Sequence, residues 1–214
     1  MTETLTLPKT AAARGRVAPA KLAHIVFKTP RFEAMVEWWC TLLEAKPAMK
    51  NENLAFLTYD EEHHRVAIVN MPALMPLTGL IRGLDHVAFT YDSLSDLLQT
   101  WKRLNELGID PVWCTNHGPT TSLYYADPDG NKAELQIDNF DTPVEFLTWA
   151  ETSDFSENPI GVDFDPADLY GRLKSGEAES SLKARAVIGP RTLSSIPTAV
   201  VGRFHKILAG FAGK

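Results

Sequence analysis

One stretch of this chain can be laid over another with a constant offset of 62 residues. "LAHIVFKTPRFEAMVEWWCTLLEA", from Leu22, matches "LDHVAFTYDSLSDLLQTWKRLNEL", from Leu84, in pattern more than in identity. Leu22 meets Leu84, His24 meets His86, Phe27 meets Phe89, Trp39 meets Trp101 and Leu42 meets Leu104. A repeat constrains the fold more than any local propensity, because each unit must be a supersecondary motif that its partner completes. Both units open with a short β-type run and continue as a helix. In the first helix Phe32, Met35, Val36, Trp39, Leu42 and Leu43 recur at helical spacing. In the second, Leu94, Leu97, Leu98, Trp101 and Leu104 do the same. Ser93 supplies an N-cap, and Gly108 followed by Pro111 supplies a stop. Short strands are predicted to follow, at 54–59 and 64–70 in unit one and at 111–116, 121–126 and 132–138 in unit two. The last two are joined by the turn "DPDG". The expected fold is α+β: two βαβββ modules, 21–80 and 83–140, paired into one cleft-forming sheet with the helices outside. An N-terminal arm (1–20) precedes this domain, and a C-terminal extension with helices (141–214) follows it.

Strand periodicity of two decides which side chains face the cleft. His24 shares a face with Val26, away from Ile25 and Phe27. His86 shares one with Ala88, and Glu134 one with Gln136, between the apolar Ala133, Leu135 and Ile137. A carboxylate placed inside an apolar strand is costly without a partner. Two histidines at equivalent repeat positions lie on the same side as Glu134, so a divalent metal held by His24, His86 and Glu134 is the expected partner. Two imidazoles and one carboxylate with open positions are the facial triad associated with non-haem Fe(II) oxygenases; the same donors accept Mn(II).

With these residues in view, the chain resembles the vicinal oxygen chelate superfamily, which includes glyoxalase I, fosfomycin-resistance enzymes, an epimerase and the type I extradiol ring-cleaving dioxygenases. "TNHGPTTSLYYADPDGNKAE" is similar to the extradiol signature through His117, Leu123–Tyr124, Asp127–Pro128, Gly130 and Glu134. "EEHHRVAI" is similar to the family's double-histidine strand, in which one histidine is the acid–base catalyst. The resemblance covers roughly 20–140 and implies a single-domain enzyme in which Fe(II) and O2 act on a catechol-type ring. It implies His24, His86 and Glu134 as metal ligands and His64 as acid–base residue, with His63 its substitute beside the substrate. Tyr124 then hydrogen-bonds the substrate oxygen and His117 assists it, while Tyr125, on the opposite face, packs. Two other readings stay open: a glyoxalase-like isomerase, epimerase or thiol transferase on the same fold, and a metal-free small-molecule binding protein. An isomerase has no obvious need for His64, His117 and Tyr124, and a metal-free binder none for His24, His86 and Glu134.

Composition excludes several classes. A net charge of −6 and a pI of about 5.5 give no electrostatic footprint for nucleic acid. Two cysteines, Cys40 and Cys114, form no disulfide framework and fit a reducing cytoplasm. No apolar run reaches membrane-span length. In the extension, "DPADLYGRL" reads as a helix start, with Asp165 as cap and Pro166 in the first turn. Residues 141–182 are expected either over the cleft or on the core. Residues 183–214 carry six Lys/Arg and no Asp or Glu. There Val200, Phe204, Ile207, Leu208 and Phe211 form an apolar stripe that could lie on a membrane but is expected to dock on an acidic neighbour, this domain or a second copy of the chain, and so to join copies as a homo-oligomer.

Overall fold

In the computed structural model the described residues are 19–75 and 83–197, with positions 13, 15 and 200. Module one runs β1 (Ile25–Thr29), α1 (Phe32–Leu43), β2 (Lys46–Lys50), β3 (Leu54–Thr58) and β4 (Val66–Asn70). Module two runs β5 (His86–Thr90), α2 (Leu94–Glu106), β6 (Trp113–Asn116), β7 (Thr120–Ala126) and β8 (Lys132–Asp138). Both are βαβββ, and both fold the same way. The first strand pairs parallel with the fourth and the rest follow antiparallel, giving the orders β1-β4-β3-β2 and β5-β8-β7-β6.

The helices sit where their apolar stripes require. Phe32, Met35, Val36, Trp39, Leu42 and Leu43 of α1 are buried, as are Leu94, Leu97, Leu98, Trp101 and Leu104 of α2. The Ser93 hydroxyl accepts from the Asp96 N–H, and Gly108 takes the left-handed backbone (φ +73°) that ends the turn after α2. Strand β2, "KPAMK", was not among the expected strands: every residue of it is exposed, so no alternation marks it. His64 precedes β4 rather than lying on it as expected, because the ladder begins only at Val66.

The modules meet through side chains rather than through a ladder. No backbone pairing joins β1 to β5 among the described residues, so the single sheet expected is two, of four and five strands. Trp39 is the pin between them. It stacks on Phe27 (centroids 4.9 Å apart), meets Phe89 edge-on (6.0 Å) and donates from Nε1 to Asp127 Oδ2 at 3.3 Å. Arg103 on α2 donates to the Thr41 and Leu42 carbonyls at the end of α1 (2.7 and 3.2 Å). Buried residues of both modules form one continuous core.

The extension clamps the second module. It contains α3 (Pro143–Ala150), α4 (Ser153–Glu157), β9 (Val162–Asp163), α5 (Pro166–Lys174), α6 (Glu179–Lys183) and a 3-10 turn at Leu193–Ser195. Asp165 caps α5 through the Ala167 N–H, with Pro166 in the first turn. Helices α5 and α6 pack on α2, and β9 adds antiparallel to β6 as a fifth strand. Val200 packs against the Trp113–Tyr124–Ile160–Ile196 cluster. The rest of the basic stripe (201–214) and most of the N-terminal arm lie outside the described residues. No helix among the described residues is long and apolar enough to cross a membrane.

Candidate active site

Parallel pairing of β5 with β8 sets Ala88 opposite Glu134, so His86 lies diagonally across from that carboxylate on the same face. Its Nε2 is 2.9 Å from Glu134 Oε2, and its Nδ1 is 2.8 Å from Asp85 Oδ2. Lys132 in turn holds Asp85 at 2.6 Å. Antiparallel pairing of β7 with β8 puts Tyr124 directly opposite Glu134, and pairing of β6 with β7 puts Trp113 opposite Tyr124. The Trp113 and Tyr124 rings stack, with centroids 5.1 Å apart. The Tyr124 hydroxyl is 2.9 Å from His117 Nε2, while His117 Nδ1 is 2.5 Å from the Ile160 carbonyl.

This face is electrostatically polarised. The Glu134 hydrogen bond pulls the His86 pKa above its ordinary value, against the opposing effect of burial. Burial pushes Glu134 upward, but hydrogen bonds from His86 and Ser122 outweigh it and hold the carboxyl below the usual range. Burial lowers His117, which keeps its ring neutral at neutral pH, and raises the Tyr124 phenol.

The remaining predicted residues form a second group on module one. His24 lies just before β1, and its ring is 4.4 Å from that of His64. His63 and His64 approach through their Nδ1 atoms at 2.5 Å, and Phe56 stacks on His64 at 4.2 Å. His64 is buried; burial and the adjacent His24 and His63 lower its pKa, so it too is neutral at neutral pH. The structure therefore brings His86, Glu134, Tyr124 and His117 together, and separately His24, His63 and His64. It does not bring His24 to His86 and Glu134: among the described residues no group of three His, Cys, Asp or Glu side chains is placed to hold a metal ion. His24 lines a cavity together with Val87 and Ala88 of β5, but its ring turns to His64 of its own module, and with no β1–β5 ladder among the described residues only side-chain packing sets it against His86.

The donor chemistry of the first group fits a divalent metal. An imidazole nitrogen and a buried carboxylate oxygen are aimed at each other, and the other imidazole nitrogen is fixed by a carboxylate, the arrangement that orients metal-binding histidines. Sequence reading had not picked out Asp85, Trp113, Asn158, Ile160 or Arg185. "NPIG" at 158–161 does carry a turn signal.

Two paired βαβββ modules with His and Glu gathered on one inner face define a class of small-molecule enzymes and binders built from that repeat. The chain belongs to the Glyoxalase/Bleomycin resistance protein/Dioxygenase superfamily, whose profile matches residues 21–135. It is 48% identical over 160 residues to biphenyl-2,3-diol 1,2-dioxygenase 2 of Rhodococcus globerulus, covering 74% of this chain and 84% of that one. It is 44% identical over 168 residues to biphenyl-2,3-diol 1,2-dioxygenase 3 of the same organism, covering 78% and 88%. A more distant relative, the metallothiol transferase FosB of Staphylococcus epidermidis, is 23% identical over 131 residues, covering 60% and 89%.

Proposed function

We propose that this protein is an extradiol ring-cleaving dioxygenase that uses O2 to open a catechol-type aromatic ring beside its hydroxyls. The observation that carries the reading is the Asp85–His86–Glu134 chain beside the Tyr124–His117 pair, in a chain 48% identical to a biphenyl-2,3-diol 1,2-dioxygenase. His86 and Glu134 would hold Fe(II), or Mn(II), with His24 as third ligand; the reading requires His24 to leave its contact with His64 and join them. The chemistry such a metal supplies when bound is electron transfer between diol and O2, with both held in a fixed orientation.

The chain's own residues do the rest. Tyr124 presents its hydroxyl beside Glu134 and orients a diol oxygen there, and His117 holds that hydroxyl in place. Trp113 backs the Tyr124 ring as an apolar wall. His64, neutral at neutral pH, takes up a substrate proton and returns it as the ring opens, and His63 shares its proton through the Nδ1 contact. The catalytic unit is residues 21–140. The basic residues 183–214 would join copies of this acidic chain into a homo-oligomer in a reducing cytoplasm.

The test is anaerobic loading with Fe(II), then O2 and a panel of catechols that includes biphenyl-2,3-diol. A yellow ring-fission product is expected, and His86→Ala should lose its metal on dialysis. A fully loaded enzyme that gives no product with any catechol would overturn the reading.

A further inference from the structure

The contact between His117 and Ile160 has a chemical consequence that side-chain identities alone do not convey. A carbonyl oxygen can only accept, so His117 Nδ1 must carry the proton that points at Ile160. The ring is neutral, so its Nε2 has a lone pair and can only accept from Tyr124. The Tyr124 hydroxyl has one proton and two acceptors within reach, His117 Nε2 and the Glu134 carboxylate. Were the ring the other tautomer, it would donate to Tyr124, and the phenol proton would turn to Glu134. The tautomer of His117 therefore decides whether the Tyr124 proton takes up one of the Glu134 acceptor sites or leaves it free for a metal.

What holds the Ile160 carbonyl in place is the C-terminal extension. Asn158 is buried and closes the 158–161 turn on itself: its Oδ1 accepts from the Ile160 and Gly161 N–H groups (3.1 and 2.8 Å), and its Nδ2 donates to the Gly161 carbonyl (3.0 Å). Arg185 fastens this turn to the His117 loop. Its guanidinium donates to the carbonyls of Asn158 (2.8 Å), His117 (3.1 Å) and Asp154 (2.7 Å), and lies over the Trp149 ring. A rigid fork of five donors can span three chain segments at once, which a lysine ammonium cannot match in geometry. The closeness of the two loops is enforced by glycine. A Cβ on Gly161 (φ +119°) would fall 2.5 Å from the Asn116 carbonyl oxygen and 2.9 Å from His117 Cα.

We propose that Arg185 is a positioning residue of the candidate active site, which, with Asn158, holds the Ile160 carbonyl on His117 Nδ1 and so fixes the His117 tautomer and the direction of the Tyr124–His117 hydrogen bond. The catalytic consequence rests on the dioxygenase reading; the tautomer does not.

The two are separated by reading the tautomer directly. Protein labelled with 15N-histidine, free of metal and substrate, is examined by NMR above pH 7, with His117→Gln used to assign the His117 signals. Wild-type protein should show His117 protonated at Nδ1, and Arg185→Ala should shift it to Nε2 or to a mixture. Asn158→Ala, which attacks the same brace from the other side, should do likewise. On the Fe(II)-loaded enzyme Arg185→Ala should lower kcat by about 10-fold, as loss of an outer partner of a metal site does, with a smaller change in KM. A wild-type ring protonated at Nε2, or an Nδ1-protonated ring in both variants, would overturn the proposal. So would collapse of both variants, since the brace would then be holding the fold rather than the ring. A catechol panel without product, beside the expected tautomer shift, would remove the dioxygenase reading and leave the brace standing.

Discussion

Tyr124 and Tyr125 are neighbours in β7 with opposite fates. Tyr124 faces the candidate site, while Tyr125 is fully buried in the core, its hydroxyl without a hydrogen-bond partner among the described residues. An unsatisfied buried hydroxyl costs free energy, and removing it while keeping the ring relieves that cost. Tyr125→Phe should therefore be neutral or stabilising by up to ~1 kcal/mol in urea unfolding. Tyr124→Phe should leave the fold intact and lower catechol turnover by about 10–100-fold, the usual effect of losing a supporting hydrogen bond around a metal. Period-two alternation set the two tyrosines on opposite faces and put His86 and Glu134 on the face away from the helices, while the likeness to the extradiol signature singled out Tyr124. The Ile160 carbonyl was not legible, because a main-chain acceptor has no residue type of its own. Nor was the contact of His24 with His64, since alternation fixes the face a side chain takes and not the ring it meets there.

Among the elements, α2 shows how the extension supports the repeat. Its first turn is capped twice: Ser93 accepts from the Asp96 N–H, and Glu179, at the start of α6, accepts from the Leu94 and Ser95 N–H groups (3.2 and 3.1 Å). A carboxylate at a helix N-terminus satisfies open donors and complements the helix dipole. Glu179→Ala should cost ~0.5–2 kcal/mol by urea unfolding, in the range of a lost N-cap. Glu179→Gln, which keeps an acceptor and loses the charge, should cost less. The Ser93 cap could be read locally. The Glu179 cap could not, because it comes from 84–85 residues away. Helix α3 repeats the signal that identified α5, a capping side chain followed by proline (Thr142–Pro143), and so was present to be read.

At the scale of the molecule, the 62-residue repeat foretold two modules but not how they join. They join at Trp39, fully buried between Phe27 of its own module and Phe89 and Asp127 of the other. A core shared in this way should unfold as one unit. Far-UV and near-UV signals should therefore trace a single coincident urea transition, and Trp39→Ala should shift the whole of it by ~3–5 kcal/mol rather than split off module one. Two separated transitions would mean that the modules are independently stable. The outer margins of the two sheets tell a different story. At this margin the first sheet ends in β2, where Pro47 has no N–H to offer and Lys46 and Lys50 place positive charge on the rim; the second sheet is closed at the equivalent margin by β9. An open, apolar rim is a template for another chain to add a strand, and from there for fibrils to grow. Here one rim repels such an addition and the other is already filled, so the folded protein is protected from edge-on polymerisation on both of these flanks.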